Sequence, residues 1–182
     1  MTESKDRSQS VISEAFSLVN QSAFDTLKKK SESENNPKRV LVFTSDSTTK
    51  GHMDVFNRLI ERFKNKGVDV LTTAFIDDKM LPGQQLEDQV SSIITDYTCG
   101  VIIFVSGKMS EKNMGHRSME KIRGIQRVAN SRFNLDKPFL FTVSPDGKGI
   151  SKPLRAFPVA DLGSINGTTD FASLLTRMAN RP

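Results

Sequence analysis

"GVIIFVSG", Gly100 to Gly107, is apolar on both of its alternating faces. A strand that is wet on one side alternates polar with apolar residues. One that reads apolar throughout is covered on both sides, as a central strand of a parallel sheet is when helices lie above and below it. The neighbouring segments extend this reading. Upstream, "RVLVFT" (39–44) is a short β-branched and apolar run, after which Met53, Phe56, Leu59, Ile60 and Phe63 share one helical face that ends at Gly67. "VDVLTTAF", Val68 to Phe75, predicts a second strand. Leu86, Val90, Ile93, Ile94 and Tyr97 predict a second helix, entered through the loop DDKMLPG. Downstream, Met119, Ile122, Ile125 and Val128 or Ala129 mark a third helix and "KPFLFTV" (137–143) a fourth strand. "PVADL" reads as a short fifth strand, and "TDFASLLTRMA" (169–179) as a closing helix that opens on a capping residue type. Alternation at this length predicts an α/β fold: a flavodoxin-like parallel sheet, flanked by helices and joined by right-handed crossovers.

Residues 1–37 read as a tail. Val11 to Leu27 is amphipathic and predicts a short helix that docks on some other surface, and the polar run KKKSESENNPK after it buries too little to offset the entropy of ordering it. The domain proper is expected over 38–182.

Composition narrows the function classes. At 182 residues, 36% hydrophobic and 26% charged, the chain is globular rather than disordered in character. It has no apolar run of roughly 20 residues and no apolar core in its opening segment, so neither a membrane span nor a secretion signal is expected, and the protein reads as soluble. One cysteine, Cys99, excludes an internal disulfide and a multi-cysteine zinc site, which points to a reducing, cytoplasmic compartment. The net charge is +5, but 26 basic residues are interleaved with 21 acidic ones and aromatics are scarce near the basic runs. That pattern argues against nucleic acid as a partner.

The loop after the first strand, with Ser45, Ser47, Thr48 and Thr49, sits where an open parallel sheet presents ligands. It has only Gly51, so the dinucleotide and Walker patterns are both missing. Its hydroxyls are of a kind that meets a flavin phosphate, yet the chain has no tryptophan and one tyrosine to stack on a flavin ring. Turn and helix cap is the simpler reading, and no cofactor is expected. Asp77, Asp78, Glu87 and Asp88 match no metal loop and suit a helix N-terminus. Ser106 with His116 lacks the elbow of a hydrolase nucleophile. Cys99 reads as a small hydrophobe at the start of a buried strand. On the third helix His116, Arg117, Lys121, Arg123 and Arg127 read as one positive surface with few local acids, a solvated helix face in the plainer reading and a surface for recognising a partner in the other.

These segments together resemble a SEFIR domain, the TIR-related module of interleukin-17 receptors and their cytosolic adaptor. The resemblance spans about 38–178. It rests on "RVLVFTSDS", "FNRLIERFKNKGVDVLTTAF", "GVIIFVSGKM" and "MEKIRGIQRVANSRFNLDKPFLFTVSPDGKGISKPLRAF". It implies a cytoplasmic, non-enzymatic signalling module, an adaptor or receptor tail of innate immunity, that pairs with other SEFIR-domain proteins and also allows a homo-oligomer. The implied contact surface is the helix after the third strand with its adjoining loop: Lys108, Lys112, His116, Arg117, Lys121, Arg123 and Arg127. Asp77 and Asp78 fall in the position of the TIR recognition loop, and with Glu87 and Asp88 they offer a complementary acidic patch for head-to-tail association. TIR relatives also include NAD-cleaving enzymes. The alternative that they imply has Glu120 as the catalytic carboxylate and Ser45, Ser47 and Thr48 at the ribose or phosphate. An ion pair of Glu120 with Arg117 or Lys121 is the plainer expectation.

Overall fold

The structure, a computed structural model, describes residues 11–45, 48, 50–105, 115–148, 150 and 152–182, with the backbone alone at 152 and 153. Five parallel strands form one sheet: β1 (Arg39–Thr44), β2 (Leu71–Thr72), β3 (Thr98–Phe104), β4 (Leu140–Ser144) and β5 (Val159–Asp161). Their spatial order is β2-β1-β3-β4-β5, the flavodoxin-like order that the alternating segments predict. Helices cover both faces. On one side lie α1 (11–18), α2 (Gln21–Ser31), α3 (Lys50–Asn65) and α7 (Gly167–Ala179), and on the other α4 (Thr73–Lys79), α5 (Leu86–Tyr97) and α6 (His116–Ser131).

Strand periodicity makes this division. Val40, Val42, Ile102 and Phe104 point into the first core, while Leu41, Phe43, Val101 and Ile103 point into the second. All eight are buried, as the unbroken apolar reading of β1 and β3 requires. The chain leaves β1 toward β2 on one side and returns to β3 on the other, so the order of strands reverses between β1 and β3.

The amphipathic stretch of the N-terminal segment docks and builds core. Ile12, Phe16, Phe24 and Leu27 are buried against the sheet's first face. Phe16 meets Phe63 of α3 edge-on at 5.0 Å and Phe171 of α7 at 5.4 Å, and Phe171 in turn meets Phe141 of β4 at 5.9 Å. This aromatic cluster ties α1 to three separate elements. The amphipathic stretch, split into α1 and α2, therefore has its partner within the chain; the first four residues of the polar run, 28–31, finish α2, and the rest connects it to β1.

The second strand is much shorter than the expected 68–75. The Thr73 side chain takes over the pairing where β2 stops: its hydroxyl accepts from the Thr44 N–H (3.1 Å) and donates to the Thr44 carbonyl (3.0 Å). With both groups of Thr44 satisfied this way, the backbone turns at once into α4, which buries Ile76. The closing helix also differs at its start. It begins at Gly167 after Asn166, so Thr169 lies inside it rather than capping it.

Gly67 ends α3 as expected, and its φ of +79° shows why glycine is there. Val68 N–H donates to Phe63 O (3.0 Å) and Gly67 N–H to Lys64 O (2.9 Å), the paired bonds of a Schellman cap, with Phe63 and Val68 both buried in the same core. Gly124 serves another need. A Cβ there would lie 2.8 Å from Glu87 O and 2.8 Å from Val90 Cβ, so only glycine lets α6 lie this close to α5.

Candidate functional site

At the strand reversal the connecting helices leave toward opposite faces and a crevice opens at the carboxyl ends of β1 and β3. Here it is a cleft of about 570 Å³. Thr44, Ser45 and Thr48 supply hydroxyls from the end of β1, Asp77 stands on α4, and Arg117 and Lys121 come from the start of α6. Thr44 and Thr48 join their hydroxyls at 2.9 Å, and Thr48 N–H donates to Ser45 O (3.3 Å), which closes the turn that the small polar residues predict. Ser47, Thr49, Lys108 and Lys112 lie outside the described residues.

The positive surface expected on α6 takes a different form. Lys121 is not on a solvent face. Its side chain is 8% exposed and its Nζ lies 2.6 Å from Asp77 Oδ1. The Arg127 guanidinium donates to Asp88 Oδ1 (2.6 Å) and Glu87 Oε1 (2.8 Å) of α5. Those two bonds, Asp88 first, raise Arg127 above its ordinary value. His116 Nε2 and Glu120 Oε1 are 3.0 Å apart along one helix face. Glu120 thus faces His116 rather than Arg117 or Lys121, whereas the acids that meet Lys121 and Arg127 are far from them in sequence, and the close approach at Gly124 brings α5 within reach. Asp77, Glu87 and Asp88 are thus engaged within the chain, and Asp78 stays exposed. Arg117 and Arg123 are the exposed cations of α6 without an acidic partner among the described residues.

Beside the first cleft runs a wider groove of about 990 Å³, between residues 80–87 and the first turn of α6. Glu120 and His116 line this groove, whereas the hydroxyl set lines the neighbouring cleft. The two share Asp77 and Arg117. The groove's far wall is fastened by one side chain: Gln89 accepts the Leu81 N–H (2.6 Å) and donates to Leu81 O (3.0 Å) and Gln84 O (3.2 Å). Leu81 stands on this pinned segment at 60% exposure. Thr73, Gln89 and Ser118 escape a sequence reading. Thr73 is masked by an apparent strand, Gln89 is an ordinary helix residue in its pattern, and Ser118 enters the cleft wall only because α6 starts beside β1.

His52 lies in the first turn of α3, 4.0 Å from Asp146 beyond β4. Tyr97 ends α5 and packs edge-on against Phe75 at 5.3 Å, with Lys79 over both rings. Cys99 falls inside β3, half-buried, and burial raises its thiol above the usual value of 9.0. Among the described residues, no cluster of three or more His, Cys, Asp or Glu side chains could hold a metal ion.

Fold and cleft together define an α/β protein of flavodoxin-like topology with a polar crevice at its strand reversal. Compared with known proteins, the chain matches no family model and no curated sequence. Among the described residues, no helix is long and apolar enough to cross a membrane.

Proposed function

We propose that the chain is a cytoplasmic signalling adaptor or receptor-tail module of the SEFIR kind, which associates with other SEFIR domains in interleukin-17-type signalling. The observation that carries this reading is the groove at the start of α6. A segment pinned by Gln89 holds an apolar side chain, Leu81, out into solvent beside the unpaired charge of Arg117. An ordered apolar tip next to an uncompensated cation is what a docking surface needs: the apolar group contributes contact energy and the charge steers encounter and selects partners. The surface is narrower than a whole basic helix. Lys121 and Arg127 are engaged by acids of the same chain, while Arg117, Arg123 and Leu81 are left for a partner.

The alternative, NAD cleavage, has its parts divided. The Glu120 carboxylate lies in the groove beside His116, and Ser45 and Thr48 line the adjoining cleft. A pull-down of the full chain with the SEFIR domain of an interleukin-17 receptor tests the first reading. Capture by the parent chain and loss with Leu81→Glu is expected, and capture unchanged by that substitution contradicts it. Nicotinamide release from NAD, abolished by Glu120→Gln, would favour the alternative.

A further inference from the structure

The amino end of the sheet, opposite the cleft, carries a second surface. The turn joining α6 to β4 exposes Phe133 at 58% and Leu135 at 73%. Exposed apolar residues on a loose loop would carry little meaning, but this turn is fastened. Arg177 donates to Leu135 O (3.2 Å), and Arg181 donates to Arg132 O (3.2 Å) and Lys137 O (2.5 Å). Asn134 Oδ1 accepts from the N–H groups of Asp136 (2.9 Å) and Lys137 (3.2 Å). Two cations of the last helix and its end are thus used to hold an apolar turn out in water.

Phe133 and Leu135 form the rim of a pocket of about 260 Å³ whose lining includes Pro138, Phe139, Phe157 and Pro158 and, among the described residues, no charged side chain. It is smaller than the roughly 300 Å³ or more of a typical small-molecule site, and suits a single large apolar side chain. Phe139 is also a wall of a neighbouring pocket of about 330 Å³, whose lining includes Lys30, Lys38, Arg132 and Arg181 and, among the described residues, no acidic side chain. Both guanidiniums lie on the Phe139 ring, Arg132 at 4.9 Å and Arg181 at 5.5 Å from its centre. Lys30 donates to Ala179 O and Arg181 O, and Lys38 to Thr95 O and Asp96 O. These carbonyls at helix ends orient the ammonium groups and leave their charge uncancelled.

We propose that these two pockets form one docking site for a partner's peptide segment in which an apolar anchor residue lies next to acidic residues. The anchor enters the apolar pocket beside Leu135, and the carboxylates meet Arg132, Arg181 and the two lysines across the Phe139 wall. The cations there already crowd one another. Burial, and then the neighbouring Arg132, push the Arg181 guanidinium below its usual value, and Lys30 is lowered chiefly by burial. A carboxylate arriving between them relieves that crowding. A second copy paired through this same face about a two-fold axis brings like cations together and is repelled, whereas an acidic segment is attracted, and the charge of the pocket therefore favours an acidic partner.

The test is selection of short random peptides displayed on phage against the full chain, followed by anisotropy titration of the enriched sequences as fluorescein-labelled synthetic peptides. Enrichment of Leu, Phe, Ile or Met beside two or more Asp or Glu is expected, with binding that weakens as salt is added. Leu135→Ser, at a side chain largely in solvent, is expected to keep the parent melting temperature and weaken binding by about tenfold or more. Arg132→Glu is expected to weaken it similarly. No enrichment, enrichment of basic or uncharged peptides, equal binding to both variants, or self-association of the chain through Phe133 and Leu135 would each overturn the proposal.

Discussion

Two groups of cations in this molecule look alike in sequence and differ in use. Two of those on α6 are met by acids: Lys121 by Asp77, and Arg127 by Glu87 and Asp88. Those around Phe139 are met by backbone carbonyls and an aromatic ring, with no acidic side chain among the described residues of the pocket they line. A cation matched by a carboxylate is part of the fold, whereas one matched by a dipole keeps its charge available to something else. A count of basic residues along a helix cannot separate the two cases, because the deciding acids lie on other elements.

The comparison depends on the helices being held where they are, and the largest effect is expected where they are pinned. Phe16→Ala removes the ring that joins α1 to Phe63 and Phe171 and should lower stability by about 3–5 kcal/mol, read as an earlier denaturant midpoint. It should also loosen α2 and α7, which place Lys30 and Arg177. Gly124→Val comes next. Its side chain would push against Glu87 O and Val90, part α5 from α6 and separate Arg127 from its acids, at a cost of about 1–3 kcal/mol in the same measurement.

Asp77→Ala sharpens the contrast directly. It strands the Lys121 ammonium, and because Asp77 is half-exposed the loss should be about 1–2 kcal/mol rather than that of a fully buried pair. Adding Lys121→Met to that variant should recover most of it, as thermal unfolding of the double variant would reveal. Cys99 gives a smaller, pH-dependent effect. Burial raises its thiol, so the folded chain keeps a proton that the unfolded chain loses near pH 9.0, and the stability that this contributes is present below that pH and falls as pH climbs beyond it. The stability difference between parent and Cys99→Ala should therefore change with pH only above about 9. Arg127→Ala should change stability least, and high salt should erase the difference, since its bridges are open to solvent.

Much of the fold was legible in the sequence because the central strands and helix faces carry strong periodic patterns. The unbroken apolar run of β3 announced a covered strand, and Gly67 announced the end of α3. Three features stayed hidden, each for a physical reason. Thr73 replaces strand pairing with side-chain bonds, which β-branched propensity cannot distinguish from a continued strand. The stretch 11–27 was amphipathic, but nothing local says which surface an amphipathic helix covers, and the answer lay in phenylalanines from three distant elements. Which cations of α6 are paired could not be read either, because charge pairing is a tertiary property, here assisted by the close approach of α5 and α6 that Gly124 allows. In the candidate site, the hydroxyl turn at Ser45 and Thr48 could be placed from its position after β1, while Gln89 and Leu81 carried no local signal.

The central claim is that docking uses the cations of α6 left unpaired and not those that are paired. Titrating the full chain and two variants against the SEFIR domain of an interleukin-17 receptor, by calorimetry at fixed salt, tests it most directly. The account predicts that the double charge reversal Arg117→Glu with Arg123→Glu abolishes binding without lowering the melting temperature, and that Arg127→Glu lowers the melting temperature and leaves binding in place. Binding that survives the double reversal, or that disappears with Arg127→Glu alone in a chain still folded, would contradict it.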